Sequence, residues 1–407
     1  MCPETTDVTQ SHSEFARPNV PICRLDFYSD QNVKDPVSAY HRMLELGSVV
    51  WLEENQMQAI CGFSVLTQAL RNHHVFRSGK GLSINEDVNK VLIGSTLHSD
   101  PPQHDATRAI TFSPLSPKAL EQVRDRINRE AIKIAEEVST KDTFDAAMDL
   151  APHLPLTIVR DLVGLGDHGK ANMLEWGAAT FELMGNPGNR RDEAFSKLKK
   201  LRQFLEAPDT LGALSEDGWA SRATRLGIES GIEPSRAVEL MRDYIAPSLD
   251  TTISAIGYGV KLFAEFPDQW KKLKNDRNLM RNTIEEIVRL NTPIKAFSRY
   301  VEEDIEIDGF EFSVGERVLM VFGAANRDKE RFPDPDVFDI DRNVRGHVGF
   351  GHGVHACLGM HLARLEMTCL FNALADRIER FELAGSPVPG INSSIHSYSR
   401  VPVRVIA

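Results

Sequence analysis

Near its C-terminal end the chain reads FGHGVHACLGMHLARLE, residues 350–366. Phe350, Gly351, Gly353, His355, Cys357 and Gly359 form the pattern F-G-x-G-x-H-x-C-x-G. Three glycines around one cysteine imply a backbone that turns tightly or approaches a neighbour closely. Cys357 precedes an apolar helical pattern, where free N–H groups and the positive end of the helix dipole stabilise a thiolate. A thiolate held by backbone donors, beside glycines that leave room for a flat group, suits axial ligation of haem iron. A buried free cysteine beside a glycine turn is the plain alternative. Zinc at His352, His355 and Cys357 is another, but it lacks a fourth ligand at the usual spacing.

Three further clusters are chemically suggestive. IAPSLDTTISAIGYGV, residues 245–260, sets Asp250, Thr251 and Thr252 in an apolar helical pattern that also holds Pro247. A helical Thr hydroxyl bonds the carbonyl four residues back, here that of Pro247. Pro247 itself cannot donate to the carbonyl of Asp243. Both effects are expected to open the helix at one place, with a simple packing kink as the alternative. TIEEIVRLNTP carries Glu286 and Arg289 at i,i+3, which alone reads as a surface ion pair. HSDPPQHDATRAI places His104 and Arg108 at i,i+4, two donors on one helical face that suit an anion.

These residues need elements to hold them. The chain has 407 residues, 42% hydrophobic and 26% charged, enough for a large core that encloses a pocket. A net charge of −11 argues against a nucleic-acid binder. Five scattered cysteines with no CxxC pair indicate neither a disulfide framework nor a zinc ribbon. The polar N-terminus has no apolar region long enough to cross a bilayer. GSVVWLEENQMQAICGF, residues 47–63, reads as two strands around a Glu53-Glu54-Asn55 turn. Helical patterns dominate from about residue 117 to 290, with a helix expected over 116–138. Another opens at Pro234-Ser235 and closes before Pro267, roughly 45 Å long at 1.5 Å per residue. Asp308-Gly309 between alternating apolar residues signals a hairpin. Residues 324–356 are rich in turn formers, and a last helix is expected from about Gly359 to Phe381.

The cysteine pattern resembles that of the cytochrome P-450 family, the haem-thiolate monooxygenases, and the likeness extends over nearly the whole chain. It implies a mostly α fold with small β-sheets, in a single domain over residues 21–407 behind a flexible arm at 1–20. It also implies a long central oxygen-binding helix, and haem b with Cys357 as the axial iron ligand. Phe350, Gly351 and Gly359 would flank the haem. His104, Arg108, His355 and Arg299, the last in KAFSRY, would bind its propionates. Glu286 and Arg289 would lock onto Arg342 in FPDPDVFDIDRN and pin the irregular stretch, a structural role. The family's A/G-G-x-D/E-T motif is matched in its last two positions by Asp250 and Thr251, which implies proton delivery to oxygen. Pro247 and Ser248 depart from its first two positions. Thr252 is expected to pack beside them, since adjacent helical residues point about 100° apart.

By family position Leu97, Phe181 and Met184 line a distal pocket, with Asp243, Ala246 and Ser248 on the central helix. Ile294, Phe297, Ser394 and Ile395 complete a small apolar wall. The chain is also similar to members that oxidise para-substituted benzoic acids, sharing Phe181, Asp250, Thr251 and Phe297. Yet VLIGST, residues 91–96, holds no arginine, and a buried anion beside Asp243 is disfavoured. Lys295 is expected to snorkel to solvent, with rescue of acid binding as the alternative. The expected substrate is therefore a small hydrophobic aromatic less acidic than benzoate, with a terpenoid as the alternative, undergoing hydroxylation or O-demethylation. With no GxGxxG motif in the chain, the resemblance implies electrons from a [2Fe-2S]-type ferredoxin and an NAD(P)H-dependent reductase. These would dock over Cys357 near His361 and Arg364. Asp250-Thr251 argues against a peroxygenase using hydrogen peroxide; a haem carrier or sensor without turnover is the rival from another class. The unanchored N-terminus is similar to the soluble bacterial branch, so the expectation is a cytoplasmic monomer binding neither nucleic acid nor membrane.

Overall fold

The computed structural model describes residues 19–406, so the expected N-terminal arm lies outside them apart from its last two residues. The fold is mostly helical. The helices that build the site are α1 (Gln103–Phe112), α2 (Gly166–Met184), α3 (Asp250–Glu265), α4 (Met280–Asn291) and α5 (Met360–Ala375). A mixed six-stranded sheet runs in the order Ile22–Cys23, Val49–Leu52, Met57–Ile60, Arg317–Met320, Phe297–Val301, Phe76–Arg77. Smaller sheets lie elsewhere. The two expected hairpins form, one with Val49 opposite Ile60 and one with Ile307 opposite Phe310. The second turns on Asp308 and Gly309, both at positive φ, as a two-residue hairpin loop requires.

The apolar pattern of α3 drives it into the middle of the molecule. Ile256, Val260 and Phe263 are buried in one cluster with Ile287 of α4 and Phe371 of α5. Burying each such side chain contributes about 1.5–3 kcal/mol. No helix among the described residues is long and apolar enough to cross a membrane.

Three boundaries differ from expectation. The central helix occupies the expected residues but is broken. Pro234–Ala237, a 3₁₀ turn Val238–Met241 and Arg242–Ile245 precede an irregular stretch at 246–249, and α3 starts only at Asp250. Pro247 explains this: it lacks the N–H for the next helical bond, and its ring clashes with the preceding turn. The expected 116–138 helix is two, Pro117–Glu121 and Arg124–Ser139. The last helix stops at Ala375, and Phe381 lies on the strand Arg380–Leu383, opposite Val405. There Phe381 is buried while Arg380 is exposed, an alternation of period two that suits a strand.

Candidate active site

Cys357 sits in the turn between the irregular stretch and α5. Its backbone N–H donates to Phe350 O at 2.7 Å, closing the loop on itself. Gly351 and Gly353 have φ of +70° and +68°, which side chains other than glycine rarely adopt. A Cβ on Gly353 would also lie 2.5 Å from Leu70 O. Gly359 is different: a Cβ there would meet no atom within 4 Å, so this glycine leaves open space beside the sulfur. Burial raises the Cys357 thiol pKa above its ordinary value, against the pull of the Gly359 and Met360 backbone N–H groups and of Arg108 and Arg364. No cluster of three metal-ligating side chains exists among the described residues, so the zinc alternative has no site there.

Above Cys357 a cavity is ringed by basic side chains. His104 and Arg108 come from α1, Arg299 from the strand Phe297–Val301 and His355 from the cysteine loop. The rings of His104 and His355 meet edge to face at 4.5 Å, and the Nε2 of each is buried without a partner. Arg108 donates to Ala356 O at 2.7 Å and Arg299 to Ser298 O at 2.9 Å. Among the described residues neither guanidinium has a carboxylate partner. Burial, then Arg299, His104 and Arg108, push the His355 pKa down to about 2, and burial pushes Arg299 down to about 10. Buried donors without anions are costly, so this set fits a flat group that brings two carboxylates, as the sequence implied for haem.

The loop is held from behind. Arg289 and Glu286 are fully buried and paired at 2.6 and 2.8 Å. Arg289 also donates to Asn326 O at 2.7 Å and Pro335 O at 2.8 Å. Arg342 joins Glu286 at 3.0 Å and donates to the carbonyls of Pro333, Asp334 and Val337. The surface-pair alternative is therefore excluded, and the expected three-residue lock is present. One member carried no sequence signal. Asn326 donates to Thr292 Oγ1 at 2.8 Å and accepts from Val348 N–H at 2.8 Å, tying the end of α4 to the approach to Cys357.

The cavity roof is the broken helix. Thr251 Oγ1 donates to Pro247 O at 3.2 Å, as its spacing predicts. Ser248, Thr251 and Thr252 line the cavity, so Thr252 does more than pack. Asp250 does not line it. Its Oδ2 is buried with no partner, and burial alone raises its pKa to about 7. Gly177 of α2 makes this packing possible: a Cβ there would lie 2.9 Å from Ala246 O and 3.2 Å from Asp250 Oδ2. Gly177→Ala should therefore destabilise the fold by roughly 1 kcal/mol, the clash outweighing Ala's better helix propensity. Urea unfolding checks this; a variant as stable as the parent would refute the close contact.

Leu97, Phe181, Met184, Asp243, Ala246, Ile294 and Phe297 all line the cavity, as expected. Ser394 and Ile395 do not. Asn392 Oδ1 accepts both of their N–H groups at 3.0 Å and turns them behind Ile294, which pairs with Ile395 in a bridge. Lys295 does not snorkel. It is 2% exposed, donates to Asn392 O at 2.7 Å, and burial lowers its pKa to about 7. Arg364 turns inward to Glu285 at 2.5 and 2.9 Å, with its guanidinium 4.7 Å from the Phe350 ring centre, and His361 is half-buried. The sequence reading missed Ser95, Thr96 and His98, which also line the wall. The only signal was their place in the loop just before α1.

A thiol in a glycine-bound loop, facing a cavity with two guanidiniums that lack a carboxylate on its rim and an apolar wall, defines a protein built around a flat dianionic prosthetic group. The comparisons agree. Residues 243–397 match the family model "Cytochrome P450". The chain is 31% identical over 393 residues, 95% of both chains, to "Cytochrome p450 CYP199A2" of Rhodopseudomonas palustris. It is 30% identical over 311 residues to a "Steroid C26-monooxygenase" of Rhodococcus jostii, covering 72% of this chain and 62% of that one. Among solved structures, "cytochrome P450 CREJ in complex with (4-ethylphenyl) dihydrogen phosphate" superposes with a TM-score of 0.83 at 20% identity, over 94% of this chain and 100% of that one. The chain belongs to the cytochrome P450 family. It is a monooxygenase that carries haem b through a cysteine thiolate and works with redox partner proteins.

Proposed function

We propose that this enzyme oxidises a small, hydrophobic aromatic substrate, less acidic than benzoate, by hydroxylation or O-demethylation. The observation that carries this is the single cavity joining Cys357 to a wall of Phe181, Met184, Phe297, Leu97 and Ile294. When bound, haem supplies the chemistry that puts one atom of O2 into a C–H bond and reduces the other to water. Cys357 Sγ would hold its iron, with Phe350, Gly351 and Gly359 beside it. His104, Arg108, Arg299 and His355 would hold its two carboxylates. Glu286, Arg289 and Arg342 fix the loop. The aromatic wall excludes water and orients the substrate ring, while Thr251 Oγ1 holds a proton at the roof. Asp250, whose pKa burial raises to about 7, would exchange that proton from beside the roof.

The resemblance to benzoate-oxidising members supports an aromatic substrate, but the wall supports a less acidic one. Asp243 lines it, and Arg242, the nearest basic side chain in sequence, is turned to Glu239 at 2.7 Å and Leu92 O at 3.0 Å. Electrons come from a [2Fe-2S] ferredoxin and its NAD(P)H-dependent reductase, a reading supported by the absence of a dinucleotide motif. The protein works as a single domain. Titrating the haem-loaded protein with 4-methoxybenzoate should give weak binding and little spin shift. Tight binding with a full shift would sink the non-acid reading, and no product from non-acidic aromatics with ferredoxin and reductase would sink the aromatic one.

A further inference from the structure

Asp243 is an under-satisfied charge in the pocket wall. It lines the cavity and is 9% exposed. A carboxylate offers about four acceptor positions. Among the described residues the only donor residue at Asp243 is Thr96: its N lies 3.1 and 3.2 Å from the two carboxylate oxygens, and its buried hydroxyl faces the same group. No cation completes it. Arg242 points to Glu239 and Leu92 O, and Arg108 is held by Ala356 O. Leu97, Ala246 and Phe297 around the cavity offer no donor. A buried carboxylate facing apolar walls is unfavourable unless something donates to it. Among the described residues nothing does so beyond Thr96. Two residues further along the same loop, His98 Nε2 is also buried without a partner.

We propose that Asp243 is the polar anchor of the substrate pocket and takes a hydrogen-bond donor, a hydroxyl or an amine, carried by an otherwise hydrophobic substrate. This rests on the aromatic-pocket reading above and narrows it. The donor completes the coordination of the carboxylate, and Thr96 N–H keeps the carboxylate aimed. Pairing at one end of a small aromatic leaves the opposite end for oxidation. A substrate carboxylate is rejected at the same point, since two anions in a dry pocket repel.

The test is calorimetric titration of the haem-loaded protein with four probes on one skeleton: 4-methoxyphenol, 4-methoxybenzylamine, 4-methoxytoluene and 4-methoxybenzoate. At least one donor probe should bind roughly 10- to 100-fold tighter than 4-methoxytoluene, the range for a hydrogen bond to a buried charged group. Which of the two binds better separates a neutral hydroxyl from an ammonium. Asp243→Leu should remove that preference while leaving 4-methoxytoluene bound as well or better. Asp243→Asn keeps an oxygen for Thr96 N–H, so it preserves the loop and should lose only the amine's advantage from charge. If 4-methoxytoluene binds and neither donor probe binds tighter, or if the preference survives Asp243→Leu, the anchor is wrong and the aromatic pocket stands. If none of the four binds, the aromatic pocket is wrong and the anchor with it.

Discussion

Cys357→Ser should abolish the thiolate-type spectrum of the reduced, carbon-monoxide-bound protein and remove NAD(P)H-driven product formation, a loss on the order of 10³-fold or more. Geometry makes this a clean substitution. The backbone groups that face the sulfur, Gly359 and Met360 N–H, can donate to a serine oxygen equally well. The loop itself is closed by backbone, Cys357 N–H to Phe350 O, which the change leaves alone. What is lost is the ionisable ligand: a serine hydroxyl stays neutral at pH 7, whereas a thiol gives up its proton to a metal. Circular dichroism should be unchanged. A spectrum like that of the parent would refute Cys357 as the ligand, whatever the activity.

Arg289→Leu should cost roughly 3–5 kcal/mol, because it leaves Glu286 buried with only part of its charge answered. The pair has no access to water: both side chains are 0% exposed. Arg342 remains bonded to Glu286 at 3.0 Å but is itself 11% exposed and already serves three carbonyls. Arg289→Lys keeps the charge yet cannot span Glu286, Asn326 O and Pro335 O together, so it should fall between the two. Urea unfolding of the haem-loaded proteins, followed by circular dichroism and by haem release, reads both losses. Haem release should precede global unfolding in the variants, since the lock sits behind the cysteine loop. A midpoint for Arg289→Leu within about 1 kcal/mol of the parent would show that the buried pair contributes no more than an exposed one does.

Much of this site was legible because its chemistry is local in sequence. The cysteine loop, the His104-Arg108 face and the Glu286-Arg289 turn are each fixed by spacings of a few residues. Pro247 announced its own effect, though not that the helix would break outright rather than bend. What stayed hidden depends on partners far along the chain. Lys295 looks like any surface lysine until Asn392 O, almost a hundred residues later, captures it. Ser394 and Ile395 seem free to line a pocket until the Asn392 side chain turns them away. Gly177 is one small residue among several in α2, and only the arrival of Ala246 O against it makes glycine necessary. Asn326 sits in a stretch without periodicity, where spacing carries no information at all. Donor and acceptor accounting finds these residues; pattern reading does not.

The break at 246–249 has a last consequence in the language of fields. A through-going helix presents only its side to a cavity, and its peptide dipoles act at distant ends. Here a 16-residue helix begins at Asp250, so its positive pole opens at the roof itself. The first N–H groups of that helix have no carbonyl one turn back to receive them. Burial lifts the Asp250 pKa, and this pole opposes the lift by favouring its anion. The roof is thus an electrical terminus, and the proton on Asp250 is balanced between a dry surrounding that keeps it and a helix end that favours its departure.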